Sequence, residues 1–299
     1  MHRLSNPPSA YLVFAGGGVR TFSYVGALSQ LSNDWGIHWW TSCQGFIGIS
    51  GGAIFALLLT IGYTIEELQE LLFHFPFKRL FQPQINHILN HWSFDNCEAL
   101  QQFYCSVLNY KKLSDTITFQ ELYQKTGYFL HIIVSNITKS IIEDWNYQTQ
   151  PNMTILNALR ATCAIPLIFP PIVYQQNYYM DGAFFEPFPI YLLSSEEQTN
   201  SIGFYNYEDT EKSNPDTFVS FTKLCFHSMR HFLIKRYITH PFWIHSTIHI
   251  NMNIELTNFD LTMEQRKQMF EHGKHGAECF YKKQLCLHSF RKWKHSLSR

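Results

Sequence analysis

The sequence feature that most constrains the fold is an uncharged run from Gly45 to Tyr63, GFIGISGGAIFALLLTIGY. A run of this kind belongs either in a membrane or in a buried core. A membrane span needs about 20 predominantly apolar residues, and this run approaches that length only if Ser50 and its neighbouring glycines lie inside the hydrocarbon. The same residues form a Gly-x-Ser-x-Gly pattern from Gly48 to Gly52. We therefore interpret the run as a buried strand, a tight turn and a buried core helix.

Ser50 stands at the centre of this pattern and is the candidate nucleophile. The flanking glycines allow a sharp strand-to-helix turn that presents the serine side chain. A serine hydroxyl becomes a good nucleophile only when a base removes its proton. The helix that begins at Gly51 adds the positive end of its dipole where negative charge would develop. This position, after a strand and before a helix, is where α/β proteins place their active sites.

A second glycine-rich segment, YLVFAGGGVRT, begins at Tyr11. The backbone N–H groups of Gly16, Gly17 and Gly18 could point into one concavity that holds an oxyanion or a phosphate. The segment has neither the Gly-Lys-Ser/Thr ending nor the Gly-x-Gly-x-x-Gly spacing of nucleotide-binding loops. An oxyanion-binding loop is therefore favoured over a phosphate loop or a plain turn. Arg20 is a candidate for binding an anionic substrate group or for bracing the loop.

Asp181, in the segment NYYMDGAF, is the candidate base. An aspartate followed by glycine is also typical of a simple turn. A Ser-His-Asp triad remains an alternative, because several histidines follow Asp181: His227, His231, His240, His245 and His249. His227 and His231, which are four residues apart, could also bind a metal. No third ligand is indicated, so we expect neither a metal nor a cofactor.

The motifs GGGVRT, GISGG and DGA, in this order, resemble those of the patatin-like phospholipase family. The blocks DTITFQELYQKTGYFLHIIVSNI and QPNMTILNALRATCAIPLIFPPI are similar to the segments between them. The resemblance implies a lipid acyl hydrolase with a catalytic dyad. Ser50 would attack the ester carbonyl, Asp181 would accept its proton, and an acyl-serine intermediate would follow. The backbone of Gly16, Gly17, Gly18 and Gly51 would form the oxyanion hole.

The chain departs from the family's pattern at two positions. Thr21 stands where the family has the last glycine of the loop, and a β-branched residue disfavours positive φ. The geometry of the oxyanion loop therefore depends on the backbone at Thr21. After the acid, Glu186 precedes Pro187 where the family often has Asn-Pro. A catalytically silent lipid-binding or interaction protein, and a triad esterase or thioesterase, are the alternative functions.

Strands and helices alternate along the chain, which predicts an α/β fold with a mostly parallel central sheet in a three-layer α/β/α arrangement. We expect residues 1–200 to form the patatin-like catalytic domain. Residues 201–299 are predicted to form a loop and a helical C-terminal extension packed on the same domain. The most polar stretch, residues 205–217, is the predicted loop.

Composition limits the partners and the location. The chain has 23 basic and 23 acidic residues, and this balance argues against nucleic-acid binding. Its seven cysteines are scattered without a Cys-x-x-Cys pair, which is typical of a reduced, intracellular protein. No signal-peptide pattern is present. We expect a cytoplasmic protein peripheral to membranes, acting on a phospholipid or another lipid ester, with the need for a protein activator left open.

Two segments are candidates for membrane contact. Residues 72–92, LFHFPFKRLFQPQINHILNHW, combine aromatic and basic side chains. Residues 281–299 carry six basic residues and no acidic one: Lys282, Lys283, Arg291, Lys292, Lys294 and Arg299. A core-packed connector is the alternative for the first segment, and a solvated or frayed terminus is the alternative for the second.

Overall fold

One mixed β-sheet forms the centre of the fold. The computed structural model describes residues 7–84, 87–88, 92–208 and 215–297. Within these residues the sheet has eight strands. They are β1 (Tyr11–Phe14), β2 (Gly45–Gly48), β3 (Phe129–Asn136), β4 (Ile141–Trp145), β5 (Ile172–Tyr174), β6 (Asn177–Asp181), β7 (Ile202–Tyr207) and β8 (Thr247–Asn251).

Most of this sheet is parallel. Its strand order is β5-β6-β3-β2-β1-β7-β8, and β4 pairs with β3 outside this path. The strands β3, β2, β1, β7 and β8 run parallel to one another, whereas β4, β5 and β6 pair antiparallel. The prediction of an α/β fold with a mostly parallel sheet is confirmed.

Helices cover both faces of the sheet. They are α1 (Tyr24–Trp35), α2 (Gly51–Thr60), α3 (Ile65–His74), α4 (Glu98–Tyr110), α5 (Phe119–Thr126), α6 (Ile155–Thr162), α7 (Ser195–Thr199), α8 (Phe218–Ile234), α9 (Pro241–His245) and α10 (Met263–Leu297). Successive side chains of a strand point to opposite faces. Leu12 and Phe14 join the core that contains α1 and α2, whereas Tyr11 and Val13 join the core that contains Trp243 of α9. The three-layer arrangement is confirmed.

The uncharged run from Gly45 lies inside this core. Residues 45–48 are β2, Ser50 forms the turn, and α2 follows with all of its residues buried. The prediction of a strand, a turn and a helix is therefore correct. Among the described residues, no helix combines the length and the apolar character that crossing a bilayer requires.

The chain after residue 200 contributes strands as well as helices. The predicted loop at 205–217 is wrong at its start, because Tyr205 lies in β7 and β7 pairs with β1. Residues 209–214 of that loop lie outside the described residues. Strand β8 was not predicted, although buried Ile248 and Ile250 alternate with polar neighbours as in a strand. The C-terminal part of the chain was predicted to be helical, and α10 forms a helix there.

The two segments predicted to touch a membrane have different outcomes. In residues 72–84 the side chains of Leu72, Phe77 and Leu80 are buried, and Phe75 and Phe81 pack against the same core. This arrangement favours the core-packed connector, although residues 85–86 and 89–91 lie outside the described part. The basic side chains from Arg291 onward in the C-terminal stretch also lie outside it.

Candidate active site

The backbone at Ser50 forms a strained turn. Ser50 has φ 54° and ψ −130°, a conformation that non-glycine residues rarely adopt and that costs free energy. Its N–H donates to Oγ1 of Thr162 over 2.9 Å, and that hydroxyl donates to the carbonyl oxygen of Ile133 over 2.6 Å. The turn is thus braced through the end of α6 onto β3. No local pattern in the sequence indicated Thr162.

The two outer glycines of the motif are required by close packing. A Cβ atom on Gly48 would lie 2.4 Å from Cα of Ala53, and one on Gly52 would lie 2.4 Å from the carbonyl oxygen of Phe14. Neither contact is possible for a side chain. The motif therefore lets α2 start directly against β1 and β2, with Ser50 at the junction.

Asp181 is brought to Ser50 by the sheet. It is the last residue of β6, which pairs antiparallel with the end of β3. Its carboxylate accepts a hydrogen bond from the N–H of Ala183 over 2.8 Å. Ser50 and Asp181 are 4% and 5% exposed and line the same cavity. The predicted nucleophile and the predicted base therefore face one space, although they are far apart in sequence.

The environment of Asp181 tunes its basicity. Burial raises the pKa of its carboxyl to about 6, while the Ser50 hydroxyl, the Ala183 N–H and the charge of Arg230 each act to lower it. A carboxylate with this pKa is ionised at neutral pH and binds a proton more readily than an exposed aspartate does. This is the property that a general base near neutral pH requires.

The glycine loop lies directly beside the nucleophile. A Cβ atom at Gly16 would lie 3.3 Å from Cβ of Ser50, and one at Gly51 would lie 2.7 Å from the carbonyl oxygen of Gly18. Within the described part of the chain, the N–H groups of Gly16, Gly17, Gly18 and Gly51 donate to no acceptor. The four predicted oxyanion residues are thus gathered around Ser50 with their donors available.

Thr21, which stands where the family pattern has the last loop glycine, fits the loop without a positive φ. Residues Gly18–Ser23 form a short 3₁₀ helix, and Thr21 is not among the residues with positive φ. Its hydroxyl donates to the carbonyl oxygen of Gly18 over 2.7 Å, which stabilises the turn. At the second departure, the buried carboxylate of Glu186 accepts hydrogen bonds from the N–H of Phe188 and the hydroxyl of Tyr237. Both departures are accommodated by local hydrogen bonds.

Arg20 is buried, and its guanidinium makes hydrogen bonds within the protein. Its guanidinium donates to the carbonyl oxygen of Ile254 and to the carboxylate of Glu208. The other carboxylate oxygen of Glu208 lies 2.8 Å from Nδ1 of His227. The hydrogen bond to His227 and the charge of Arg20 lower the pKa of Glu208 to about 2. Of the two predicted roles of Arg20, this contact set favours bracing of the loop.

The cavity at Ser50 has a volume of about 390 Å³ and a largely apolar wall. This volume is within the range of small-molecule sites. The large apolar side chains of its wall include Phe94, Leu167, Ile168, Phe184, Phe226 and Met229. Such a wall suits a hydrocarbon chain, and Ser50 and Asp181 belong to the same wall.

Two late histidines are close to functional elements. His227 lines the cavity, and Nε2 of His249 lies 2.9 Å from the carbonyl oxygen of Trp243. Within the described ranges, no three His, Cys, Asp or Glu side chains are grouped so that they could hold a metal ion. The pair His227 and His231 stacks with ring centroids 6.4 Å apart.

Arg230 was not identified from the sequence, yet it contacts the loop. Its Nη2 donates to the carbonyl oxygen of Gly16 over 2.8 Å, and its guanidinium carbon lies 5.4 Å from the centre of the Tyr205 ring. Arg230 lies on α8, more than two hundred residues after Gly16. A contact of this kind has no sequence signal, because it depends on how the sheet brings distant elements together.

Comparisons with known proteins agree with this architecture. A family model described as Patatin-like phospholipase matches residues 12–194. The chain is 29% identical over 287 residues to a probable lipid hydrolase, 463L, of Invertebrate iridescent virus 6, covering 92% of this chain and 89% of that protein. It is 23% identical over 282 residues to the uncharacterised protein R571 of Acanthamoeba polyphaga mimivirus, covering 91% and 93%.

A solved structure has the same fold. The crystal structure of VipD from Legionella pneumophila matches with a TM-score of 0.59 and 16% sequence identity. The match covers 92% of this chain and 67% of VipD. At this identity the likeness concerns the fold alone.

Proposed function

This chain belongs to the patatin-like phospholipase family, and from that premise we propose that it hydrolyses fatty-acyl esters of phospholipids through a Ser50–Asp181 dyad. The observation that carries the proposal is the placement of a strained serine and a buried carboxylate in the wall of one largely apolar cavity. The pKa of Asp181, raised to about 6, suits a base that works near neutral pH.

The reaction proceeds in two halves. Asp181 accepts the hydroxyl proton of Ser50 as its oxygen attacks the ester carbonyl. The N–H groups of the glycine loop and of Gly51 hold the tetrahedral oxyanion. Asp181 returns the proton to the leaving alcohol, and an acyl ester on Ser50 remains. Asp181 then takes a proton from water as the water oxygen attacks the acyl ester. It returns that proton to the Ser50 oxygen as the fatty acid leaves, which restores the free serine and the carboxylate.

The direct test is release of fatty acid from mixed phospholipid vesicles, with and without cell extract to supply an activator. We expect release by the wild type and a loss of roughly a thousandfold or more in Ser50→Ala and Asp181→Ala. The exposed Ser106 and Asp115 provide matched controls, as Ser106→Ala and Asp115→Asn. Release that persists in Ser50→Ala would sink the proposal and assign the hydrolysis to another nucleophile. Release that is absent from the wild type under every condition would sink it as well and favour a lipid-binding protein.

A triad esterase is the second candidate, because the Glu208–His227 pair lines the cavity that holds Ser50. In this alternative His227 would take the serine proton and Glu208 would orient the ring. The substitution His227→Gln separates the two mechanisms. A dyad enzyme retains most of its activity in this variant, whereas a triad enzyme loses roughly a thousandfold.

We propose that the enzyme is cytoplasmic and peripheral to membranes, and that helix α8 forms the surface that contacts the lipid. Its inner side contributes Phe226 and Met229 to the cavity wall. Its outer side exposes Phe221 and Phe232, which are 55% and 74% exposed. Lys235 and Arg236, at the end of the helix, complement anionic phosphates. A lipid surface on this side would place the ester substrate next to the cavity that receives it.

A further inference from the structure

A second cavity adjoins the catalytic one. It has a volume of about 400 Å³, and four of its wall residues also line the catalytic cavity: Arg20, Glu208, His227 and Arg230. These charged and polar side chains therefore form a shared partition between the two spaces. The rest of the wall includes Tyr205, Asn206, His231, Trp243 and His249. The second cavity is thus more polar than the first.

Two buried donors of this wall have no acceptor in the described part of the chain. They are Nδ2 of Asn206 and Nε of Arg230. Asn206 is only 1% exposed, and its Oδ1 accepts a hydrogen bond from the hydroxyl of Ser23 over 2.9 Å. Leaving a buried donor without a partner costs about 1–3 kcal/mol. Two such donors in one cavity wall indicate that the cavity is built for a ligand that accepts hydrogen bonds.

The charges of the wall favour an anionic ligand. Among the described residues of this wall, Glu208 is the acidic one, and it is already bound by Arg20 and His227. Arg230 makes its hydrogen bond to the neutral carbonyl of Gly16, and no carboxylate of the described residues forms an ion pair with it. The positive charge of Arg230 is therefore available to a ligand. A guanidinium presents several N–H groups in a plane, a geometry that matches phosphate oxygens.

We propose that the second cavity is a phosphate-binding subsite whose donors are Arg230 and Asn206. The phosphate belongs to the head group of the lipid substrate, in which case the inference rests on the proposed function, or it is a free phosphate. Arg230 connects the two spaces, because it lines both cavities and donates a hydrogen bond to Gly16, which lies beside Ser50. Because Arg230 also binds Gly16, a phosphate held there is aligned with the oxyanion loop.

The binding test uses inorganic phosphate and glycerol 3-phosphate as probes, titrated calorimetrically into the full-length protein. The variant is His231→Glu, which adds a negative charge at the wall of the second cavity through an exposed residue. The control is His74→Glu, the same change on α3 at a residue that lines neither cavity. We expect wild type and control to bind at least one probe, and His231→Glu to bind it about tenfold more weakly or worse.

The second measurement separates a lipid head group from a free phosphate. A short-chain phospholipid and the neutral diacylglycerol with the same acyl chains are compared below their micellar concentrations. A lipid head-group site predicts a kcat/KM ratio that favours the phospholipid, and a ratio that falls about tenfold in His231→Glu. An unchanged ratio together with phosphate binding supports the site for a free phosphate.

Failure of this inference is distinguishable from failure of the proposed function. Equal hydrolysis of both esters, with no binding of either probe, overturns the phosphate subsite and leaves the hydrolase standing. Hydrolysis of neither ester, with phosphate binding that His231→Glu weakens, sinks the hydrolase and retains the subsite. Equal binding by wild type and His231→Glu also overturns the subsite.

Discussion

At the scale of single residues, burial gives Asp181 two opposite effects. The same loss of solvent that raises its pKa to about 6 makes the ionised form unfavourable in the folded protein. The raised pKa makes Asp181 a better base for the proposed reaction, whereas the buried charge lowers the stability of the folded protein at neutral pH. Strained or destabilised groups of this kind are typical of functional sites.

The first prediction concerns the pH dependence of activity. Protonation of Asp181 removes the base, so kcat/KM should rise with pH and level off above an apparent pKa of about 6. The measurement is kcat/KM from pH 4.5 to 8.5 on a soluble ester whose own charge is constant. An activity that stays flat across this range would remove Asp181 as the base.

The second prediction concerns stability. The native state holds the Asp181 proton up to a pH of about 6, whereas in the unfolded chain the pKa is near the ordinary value of 3.8 for an aspartate. Unfolding therefore releases a proton between these values, and wild-type stability falls as pH rises through this window. Asp181→Asn should be more stable at pH 7 by up to about 3 kcal/mol. The gain should vanish below pH 4, as thermal unfolding at both pH values would reveal.

The third prediction concerns Thr162. Replacing it with valine leaves the N–H of Ser50 and the carbonyl of Ile133 without their partner. We expect Thr162→Val to lower the free energy of unfolding by about 1–3 kcal/mol and to lower kcat. The matched control is Thr162→Ser, which keeps the hydroxyl and should stay near wild type in both. Equal behaviour of the two variants would contradict the bracing role.

The sequence indicated residues of this cavity wherever the signal was local. Ser50 was singled out because its flanking glycines mark a turn, and the glycine loop because three glycines are adjacent, and these residues line the same cavity. Their roles in catalysis stay predictions. Thr162, Arg230 and Glu208 were not found, since each acts through a contact across a hundred or more residues. Such contacts depend on the register and packing of the sheet, which no single segment encodes.

At the scale of elements, α8 both lines the cavity and exposes large apolar side chains to solvent. An amphipathic surface helix normally keeps its outer side polar. Phe221 and Phe232 are instead exposed, whereas Phe226 and Met229 line the cavity. This arrangement is expected of a helix that has the protein on one side and lipid on the other.

The fourth prediction tests this helix. The double substitution Phe221→Ser with Phe232→Ser should weaken binding to anionic vesicles roughly 100- to 10,000-fold, because each buried phenylalanine contributes about 1.5–3 kcal/mol and each 1.4 kcal/mol is tenfold in affinity. Co-sedimentation with vesicles measures this. Changing two exposed aromatic residues elsewhere, Tyr110 and Tyr178, to serine provides the control. If both pairs bind vesicles like wild type, α8 does not meet the membrane.

Elements were predicted well in the first half of the chain and less well in the second. The strands β1 and β2 are short uncharged runs and β3 is largely apolar, as is typical of a buried parallel sheet. By contrast, β7 ends inside the polar stretch that begins at residue 205, and β8 contains His249. Burial of Ile248 and Ile250 on one face determines that strand, and the half-buried His249 is satisfied by the Trp243 carbonyl.

At the scale of the whole molecule, the chain after residue 200 completes the sheet. Strand β7 pairs with β1, which would otherwise be an edge strand. Helix α10 adds Met269, Ala277 and Phe280 to the main core. One side chain of α10, Arg266, donates to three carbonyl oxygens at the end of α3. Folding of the first part therefore depends on the second.

The fifth prediction follows from this dependence. A chain of residues 1–200 should fail to fold, because it exposes the edge of β1 and one face of the core. Calorimetry of the full chain should give one cooperative transition whose calorimetric and van't Hoff enthalpies agree. Two separate transitions, or a folded and soluble 1–200 chain, would show that the second part is an independent addition.

The bond from Arg230 to Gly16 also has a thermodynamic consequence. Arg230 lies on the helix that exposes Phe221 and Phe232, and it donates a hydrogen bond to Gly16 in the proposed oxyanion loop. If the proposed membrane contact of α8 restrains this helix, it also restrains the loop, and the coupling between the two is reciprocal. If membrane binding raises the affinity of the site for a transition-state-like ligand by some factor, that ligand raises the affinity of the protein for the membrane by the same factor. We therefore expect the residence time of the enzyme on the membrane to be longest during acyl transfer.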